Sequence, residues 1–350
     1  MIEKRCEDRE MFTFIVTCYN QADVVLEALE SIRYQIERFG GDQKFQLIVT
    51  DDASTDESQE VIRQWMSVNK ELFVKTGKIF REKNMGICQN YVDALKHAAG
   101  ERFVVLNGDD LLAPDNLFEI TDRLRDYDIV CTAFIKFTGF GEMICSHNTY
   151  LEVVLQEIIA RDCLHRAVKL GCPVMGTAVY RKSLLTKEVY DFILRYRTVN
   201  DRACFQKILE ENKDIRVCYV NRPMVLYRIS EHSISNFHSP TRLLHNREIA
   251  KLCRAAKAAE PSVRHRMMIS WQEKSAYVRT IPNYFVRLLR FLSPYYFIML
   301  WLYLRNYGEI KRMERQLIDP NWVNCRDHYK KIQTNVRKYL NRNERGNIKS

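Results

Sequence analysis

The stretch FQLIVTDDASTD, residues 45–56, joins a run of apolar residues to a cluster of acidic and hydroxyl side chains. The apolar half predicts a buried strand. Ser54 followed by Glu57 is the pattern of a capping box, so we expect a helix from Ser54 to about Ser67. A strand, a polar loop and a helix in this order make up the repeating unit of α/β proteins.

Similar units surround this stretch. A short β-branched run over residues 12–17 precedes a helical stripe of apolar residues at 25, 29, 32 and 36. Further strands are predicted near 78–81, 102–106 and 128–137, with helices over 87–99 and from Pro114 to about Arg125. Gly100 is the expected stop of the first of these helices. Buried strands that alternate with helices predict a mostly parallel sheet covered by helices on both faces.

The second half of the chain has a different pattern of predicted elements and charge. Extended segments are expected at 176–181, 215–220 and 223–229, and basic helices at 242–259, 263–280 and 283–304. Residues 241–350 carry 23 Lys and Arg against 8 Asp and Glu, whereas the first 240 residues have a small negative net charge. We therefore divide the chain into residues 1–240 and a basic helical region, 241–350.

Composition excludes several classes. With 46% hydrophobic residues among 350, the chain buries a core and is not disordered throughout. The charged segment 1–11 is unlike a secretory signal, and the 11 cysteines contain no C-x-x-C pair. We expect reduced thiols and a cytoplasmic location. The apolar run 295–304 is about half the roughly 20 residues that span a membrane.

Two acidic pairs lie where predicted strands end. Asp109 and Asp110 follow Gly108, and a pair of carboxylates there suits Mg²⁺ or Mn²⁺; an Asp-rich turn before a helix is the alternative. Asp51 and Asp52 either favour the positive end of a helix or accept hydrogen bonds from a nucleotide. Open α/β sheets bind ligands at this edge.

Together these residues resemble a known family. FIVTCYN at 14–20, LIVTDDASTD at 47–56, NMG at 84–86 and LNGDD at 106–110 are similar in order and spacing to the family 2 glycosyltransferases of the GT-A fold. Asn200-Asp201 before a helix, and YRIS at 227–230, resemble the closing motifs. The resemblance covers residues 12–236. Asn107, Asn200, Ala53 and Gln89 stand where Asp, Glu, Gly and Arg are common in that family.

The resemblance implies a role for each matching position. The donor nucleotide would be bound by Thr17, Tyr19, Asn20, Asp52, Asn84, Gly86, Asp109 and Arg228, with Arg228 near the leaving diphosphate. Asp109 and Asp110 would hold Mn²⁺ or Mg²⁺, and Asp201 would be the catalytic base. His232 is a weaker candidate near Arg228.

The implied activity is metal-dependent, inverting transfer from a nucleotide-diphosphate sugar, most often a UDP-sugar, to a glycan or lipid-linked glycan of a surface polysaccharide. Two alternatives remain open. A sugar nucleotidyltransferase would place a Gly-rich basic loop after the first strand, where this chain has CYNQAD at 18–23. A catalytically degenerate scaffold of the same fold would bind nucleotide or membrane without turnover.

The basic region also leaves alternatives open. Its helices pack on the catalytic body with solvated charges, or they lie on an anionic membrane surface at the inner face of the cell membrane. The apolar residues of 285–304 and the arginines around them suit such an interfacial helix. We expect no nucleic-acid partner, because the region shows no reader motif beyond its charge.

Overall fold

The computed structural model describes residues 11–138, 143–144, 178–212, 214–230, 241–281, 286, 288 and 294–347. Its strands are β1 Phe12–Cys18, β2 Phe45–Asp51, β3 Lys75–Phe80, β4 Arg102–Asn107, β5 Leu111–Leu112, β6 Ile129–Thr138, β7 Met143–Ile144, β8 Ala178–Tyr180 and β9 Val217–Ile229. Its helices are α1 Val25–Phe39, α2 Ser58–Val68, α3 Ile87–His97, α4 Leu117–Asp122, α5 Lys187–Ile193, α6 Asn200–Glu211, α7 Thr241–Ala259, α8 Val263–Val278, α9 Pro294–Arg305 and α10 Tyr307–Asn347.

The first sheet is parallel, in the order β3-β2-β1-β4. Strand β1 pairs with β2 so that Cys18 lies opposite Asp51, and with β4 so that Thr17 lies opposite Asn107. The carboxyl ends of these three strands therefore meet at one edge of the sheet. This arrangement confirms the predicted α/β class, in which that edge is where ligands bind.

The second sheet is mixed and has the order β5-β9-β6-β7, with β8 also paired to β6. Strands β6 and β9 run parallel, whereas Leu111 of β5 pairs antiparallel with Leu226 of β9. Two extended segments were expected where the structure has one long strand, β9. The pairing register of β6 and β9 shifts next to Pro223, where the missing N–H is tolerated.

The core lies on both faces of the first sheet, as strand periodicity requires. Phe14 and Leu47 pack with Trp65 of α2 on one face. Ile15 and Ile48 pack on the other face, in the cluster that extends to α3, α5 and α6. Alternate residues of β1 and β2 thus serve two separate clusters, which explains their continuous apolar sequence.

Several helix boundaries differ from the sequence prediction, and three of these differences have a physical reason. Helix α2 begins at Ser58 rather than Ser54, because the Ser54 hydroxyl donates to Asp51 and accepts from the Asn20 amide instead of capping a helix. Helix α4 begins at Leu117 rather than Pro114, since the Asn116 side chain caps it. Helix α3 ends at His97; Gly100 matters because a Cβ there would overlap the Met11 carbonyl.

The C-terminal helices share the core of the sheets. Cys325, Tyr329 and Ile332 of α10 are buried in one cluster with Phe137 of β6. The predicted boundary near residue 240 stays a prediction. Of the helix expected at 283–304, the structure describes helical residues at 286 and 288 and helix α9, and the rest of that range lies outside the described residues. Among the helices that the structure describes, none combines the length and apolar content needed to cross a bilayer.

His328 anchors α10 to the sheet, because its Nε2 lies 3.0 Å from the Leu112 carbonyl oxygen and donates to it. Burial, with help from Lys331, lowers the pKa of His328 to about 4. Protonation therefore opposes docking of α10.

Replacing His328 with Gln should flatten the acid side of the stability curve. In the unfolded chain the pKa of His is about 6.5, so the wild type should lose stability as the pH falls from about 6.5 to 4, by up to roughly 3 kcal/mol. Urea unfolding of both proteins across this range measures the difference. A constant difference between wild type and His328→Gln would contradict a buried neutral imidazole.

Candidate active site

The loops that follow β1 and β2 are bonded to each other. The Asn20 amide donates to the Ser54 hydroxyl over 2.8 Å, and the Asn20 side-chain oxygen accepts from the Thr55 amide over 2.8 Å. Asn20 and Ala53 have φ angles of 51° and 64°, in the left-handed region. Asn adopts left-handed φ angles more readily than most residues, and Gly adopts them most readily of all. The positive φ angle at Ala53 therefore explains why Gly is common at this position in the family that the sequence resembles.

The neighbouring carboxylates Asp51 and Asp52 have different tasks. Asp51 is buried and accepts from the Ser54 amide and the Gln59 side chain, so it shapes its own loop. Asp52 reaches across to the loop after β3 and accepts from the amides of Met85 and Gly86 over 2.8 and 2.7 Å. Two predicted site residues, Asp52 and Gly86, are therefore in direct contact.

Thr17 and Tyr19 lie on either side of Cys18, whose carbonyl accepts from the Asp52 amide over 3.1 Å. The Thr17 hydroxyl donates to the Asn107 side chain over 3.3 Å, and the Tyr19 side chain is 47% exposed. An aromatic ring left exposed beside a strand edge is available for stacking. The first sheet thus gathers Thr17, Tyr19, Asn20 and Asp52 at one place.

The acidic motif after β4 is tied to β9. Asp110 is buried, and its carboxylate accepts from the Arg228 amide over 2.9 Å and from the Asn107 side chain over 3.1 Å. The main-chain carbonyl of Asp109 accepts from Arg228 Nε over 2.7 Å. Burial raises the pKa of both Asp109 and Asp110, and the Asp109 charge raises that of Asp110 further.

Arg228 is buried, and its guanidinium has several partners within the protein. It pairs with Glu27 of α1, lies 4.5 Å above the ring of Phe137 and contacts the Tyr329 hydroxyl of α10. Burial raises the pKa of Glu27, and Arg228 opposes that rise. The guanidinium therefore joins α1, β9 and the main chain of the acidic motif.

Asp109 and Asp110 fit a hard divalent cation. Each carboxylate oxygen that accepts one hydrogen bond keeps a second lone pair for a cation, and a bound cation would offset the burial that raises the pKa of both carboxyl groups. In the part of the chain that the structure describes, no group of three His, Cys, Asp or Glu forms a metal site. Mg²⁺ and Mn²⁺ suit such a pair because substrate phosphates supply further oxygen ligands.

Asp201 lies in the first turn of α6, half-buried, and its carboxylate accepts from the Arg202 amide over 2.6 Å. The segment just before α6 contacts the loop after β3. Arg197 donates to the Asn84 side chain over 2.9 Å, and its own carbonyl accepts from the Cys88 amide over 3.2 Å. Asp201 is thus linked to the loop that Asp52 holds.

Four residues that the sequence did not single out contribute to these contacts: Glu27, Arg197, Glu248 and Tyr329. No local pattern identified them, because each contact joins distant parts of the chain; Glu248 lies 51 residues from Arg197. His232 lies outside the described residues.

Residues 13–185 match the family model described as glycosyl transferase family 2. An uncharacterized glycosyltransferase of Mycoplasma genitalium, MG025, is 32% identical over 126 residues, or 35% of this chain and 39% of the relative. The abequosyltransferase RfbV of Salmonella typhimurium is 23% identical over 244 residues, or 67% of this chain and 71% of the relative. The matched stretch thus spans under half of one relative and most of the other.

Solved structures show the same fold. TarS 1–349 of S. aureus, in complex with UDP-GlcNAc, superposes with a TM-score of 0.56 at 16% identity, covering 94% of this chain and 92% of that one. The mannosyltransferase PcManGT of Pyrobaculum calidifontis, in complex with GDP-Man and Mn²⁺, has a TM-score of 0.50 at 17% identity, covering 93% and 86%. With the fold and the family model in agreement, residues 13–185 of this chain form a glycosyl transferase family 2 domain.

Proposed function

We propose that this family 2 glycosyltransferase moves a sugar from a UDP-sugar to a hydroxyl of a glycan or lipid-linked glycan in surface-polysaccharide synthesis. One observation carries the proposal: the strand ends that hold Thr17, Asp52 and Asp109 form one edge, and Arg197 links Asp201 to it. The UDP-GlcNAc complex of TarS and the name of RfbV support a nucleotide-sugar donor and sugar transfer. Family membership sets the nucleotidyltransferase alternative aside.

The donor nucleotide is proposed to lie against the loops after β1, β2 and β3. The Asp52 carboxylate acts as a hydrogen-bond acceptor, and each oxygen keeps a lone pair beside its amide contact. These lone pairs suit a base N–H or a ribose hydroxyl as the donor. Tyr19 is exposed enough to stack on the base. Asn20, Asn84 and Gly86 shape the pocket by fixing the loops around these two side chains.

Asp109 and Asp110 are proposed to hold Mn²⁺ or Mg²⁺, which when bound would balance the charge that grows on the leaving diphosphate. Arg228 is proposed to act on this metal site indirectly, by holding the main chain of the acidic motif. Its guanidinium is occupied by Glu27 and the Asp109 carbonyl, which supports a positioning role for Arg228 rather than direct contact with the diphosphate.

Asp201 is proposed to take the proton from the acceptor hydroxyl as it attacks the anomeric carbon. Asp201 lies in the first turn of α6, where the partial positive charge of a helix N-terminus suits a carboxylate side chain. A single displacement, with no covalent intermediate, inverts the anomeric configuration. No nucleophile from the protein is needed for this step.

A donor-binding experiment tests the pocket. Thermal unfolding with UDP, GDP, CDP or TDP, each with and without Mn²⁺, should show a metal-dependent rise of a few degrees for UDP, since a ligand at 100 times its Kd adds about 2.7 kcal/mol. Asp109→Asn should abolish the rise. Asp42→Asn, exposed at the opposite edge of the sheet, is the matched control and should keep it. Folded protein that responds to no nucleotide would contradict the proposal.

A turnover experiment tests the base. Asp201→Asn should lower UDP release from a UDP-sugar by about 10²–10⁴-fold while UDP affinity stays unchanged, because the substitution removes only the proton acceptor. Asp191→Asn, on the exposed side of α5, should leave the rate unchanged. Undiminished turnover in Asp201→Asn would show that another group is the base, and a wild type that binds UDP without turnover would favour the degenerate scaffold.

Helix α9 supports peripheral contact with an anionic membrane, which we place at the cytoplasmic face of the cell membrane. Phe297, Leu300, Trp301 and Leu304 follow helical spacing and are 60%, 53%, 55% and 63% exposed. The Arg305 guanidinium lies 5.1 Å from the Trp301 ring centre. An exposed apolar stripe beside basic groups is typical of helices that lie in the lipid interface.

Vesicle binding tests this contact. The protein should sediment with vesicles rich in phosphatidylglycerol, and the paired change Trp301→Ser with Leu304→Ser should weaken that binding several-fold by removing buried apolar area. Val68→Ser, a similarly exposed residue on α2, should have no effect. Equal binding of the wild type and the paired variant would rule out α9 as the contact.

A further inference from the structure

Glu248 of α7 holds the two residues that come just before the helix of the proposed base. Its Oε1 accepts from the Arg197 amide over 2.7 Å. Its Oε2 accepts from the Thr198 amide over 2.7 Å and from the Thr198 hydroxyl over 2.6 Å. Three short hydrogen bonds to one carboxylate, each with an ionised acceptor, form a strong local attachment.

This attachment lies directly before a helix that has no side-chain cap. Val199 precedes α6 and offers no side-chain cap. Helix N-termini carry unsatisfied amides and a partial positive charge, which a nearby carboxylate stabilises. His245, one turn before Glu248 on the same helix, adds a contact from its Nδ1 to the Thr198 carbonyl over 3.2 Å. Helix α7 therefore bonds to Thr198 on both its amide and its carbonyl side.

The segment 197–198 also contacts the loop after β3, which we propose lies against the donor. Arg197 donates to the carbonyl and side-chain oxygens of Asn84, and a Cβ at Gly86 would clash with the Arg197 side chain. The segment 197–198 therefore lies between the loop after β3 and the turn that carries Asp201. Whatever fixes this segment fixes the spacing of those two parts of the site.

We propose that Glu248 is a positioning residue that sets Asp201 against the donor. The inference rests on the proposed role of Asp201 as the base. It assigns a function in the reaction to α7, which lies beyond the matched family segment 13–185. The carboxylate charge matters because all three partners donate; an amide at position 248 would turn an NH₂ group toward one of them.

A double-mutant cycle tests the proposal. Glu248→Gln should lower kcat for UDP release from a UDP-sugar about 10-fold or more, since small displacements of a reacting group reduce rates steeply, while KM and UDP affinity stay within about twofold. In the Asp201→Asn background, measured with enzyme in excess over labelled donor, Glu248→Gln should cause no further loss. Thr198→Val, which removes one of the three bonds, should have a smaller effect than Glu248→Gln.

Each other outcome has a distinct meaning. Equal losses in both backgrounds, or weaker UDP binding by Glu248→Gln, would overturn the positioning role, because Glu248 would then act without Asp201. An Asp201→Asn protein with full activity would instead refute the proposed base. Glu273→Gln, which removes a carboxylate paired with Lys257 on the neighbouring helix, is the control and should keep the wild-type kcat.

Hydrogen exchange gives a readout that needs no turnover. Glu248→Gln should speed exchange of the Arg197 and Thr198 amides, whereas amides in β1 and β2 should exchange as in the wild type. Unchanged exchange at both positions would mean that the carboxylate does not restrain the segment, and the proposal would fail.

Discussion

The parallel pairing of β1 with β2 on one side and β4 on the other is the constraint on which the candidate site depends. Main-chain hydrogen bonds bring Thr17, Asp51 and Asn107 to one edge, whatever their side chains are. The loops that leave this edge then bond to one another, Asn20 to Ser54 and Asp52 to Gly86. The polar loops keep their positions because main-chain pairing fixes the apolar strands from which they leave.

A second constraint joins the two sheets. Asp110 accepts from the Arg228 amide, and the Arg228 guanidinium pairs with Glu27 in a buried setting. Removing one partner of such a buried pair leaves an uncompensated charge and costs several kcal/mol. The same contacts that hold the acidic motif in place therefore also hold β9 and α1 together. Stability and site geometry are not separable at this point of the fold.

The sequence predicted the parts of the structure that depend on local pattern. Continuous apolar runs located β1, β2 and β4, and polar clusters directly after them located the edge of the site. Prediction failed where a side chain had a distant partner: Ser54 was expected to cap a helix, but its hydroxyl bonds to Asp51 and Asn20. Glu248 gave no signal at all, because an acidic residue on a basic helix looks like an ordinary solvated charge. The separate segments expected around Pro223 became one strand, since a shift of register accommodates the proline.

The packing of the C-terminal helices bears on how proteins of this kind diverge. Helix α10 buries Tyr329 and Ile332 against the sheets, and α7 bonds to the residues before α6. If the C-terminal helices were exchanged between relatives, the new helices would have to supply matching contacts for Leu112, Thr198 and Arg228, and not only a similar net charge. The C-terminal helices and residues 1–240 are therefore expected to change together in evolution, and a chimera made at residue 240 would join two surfaces that lack matching contacts.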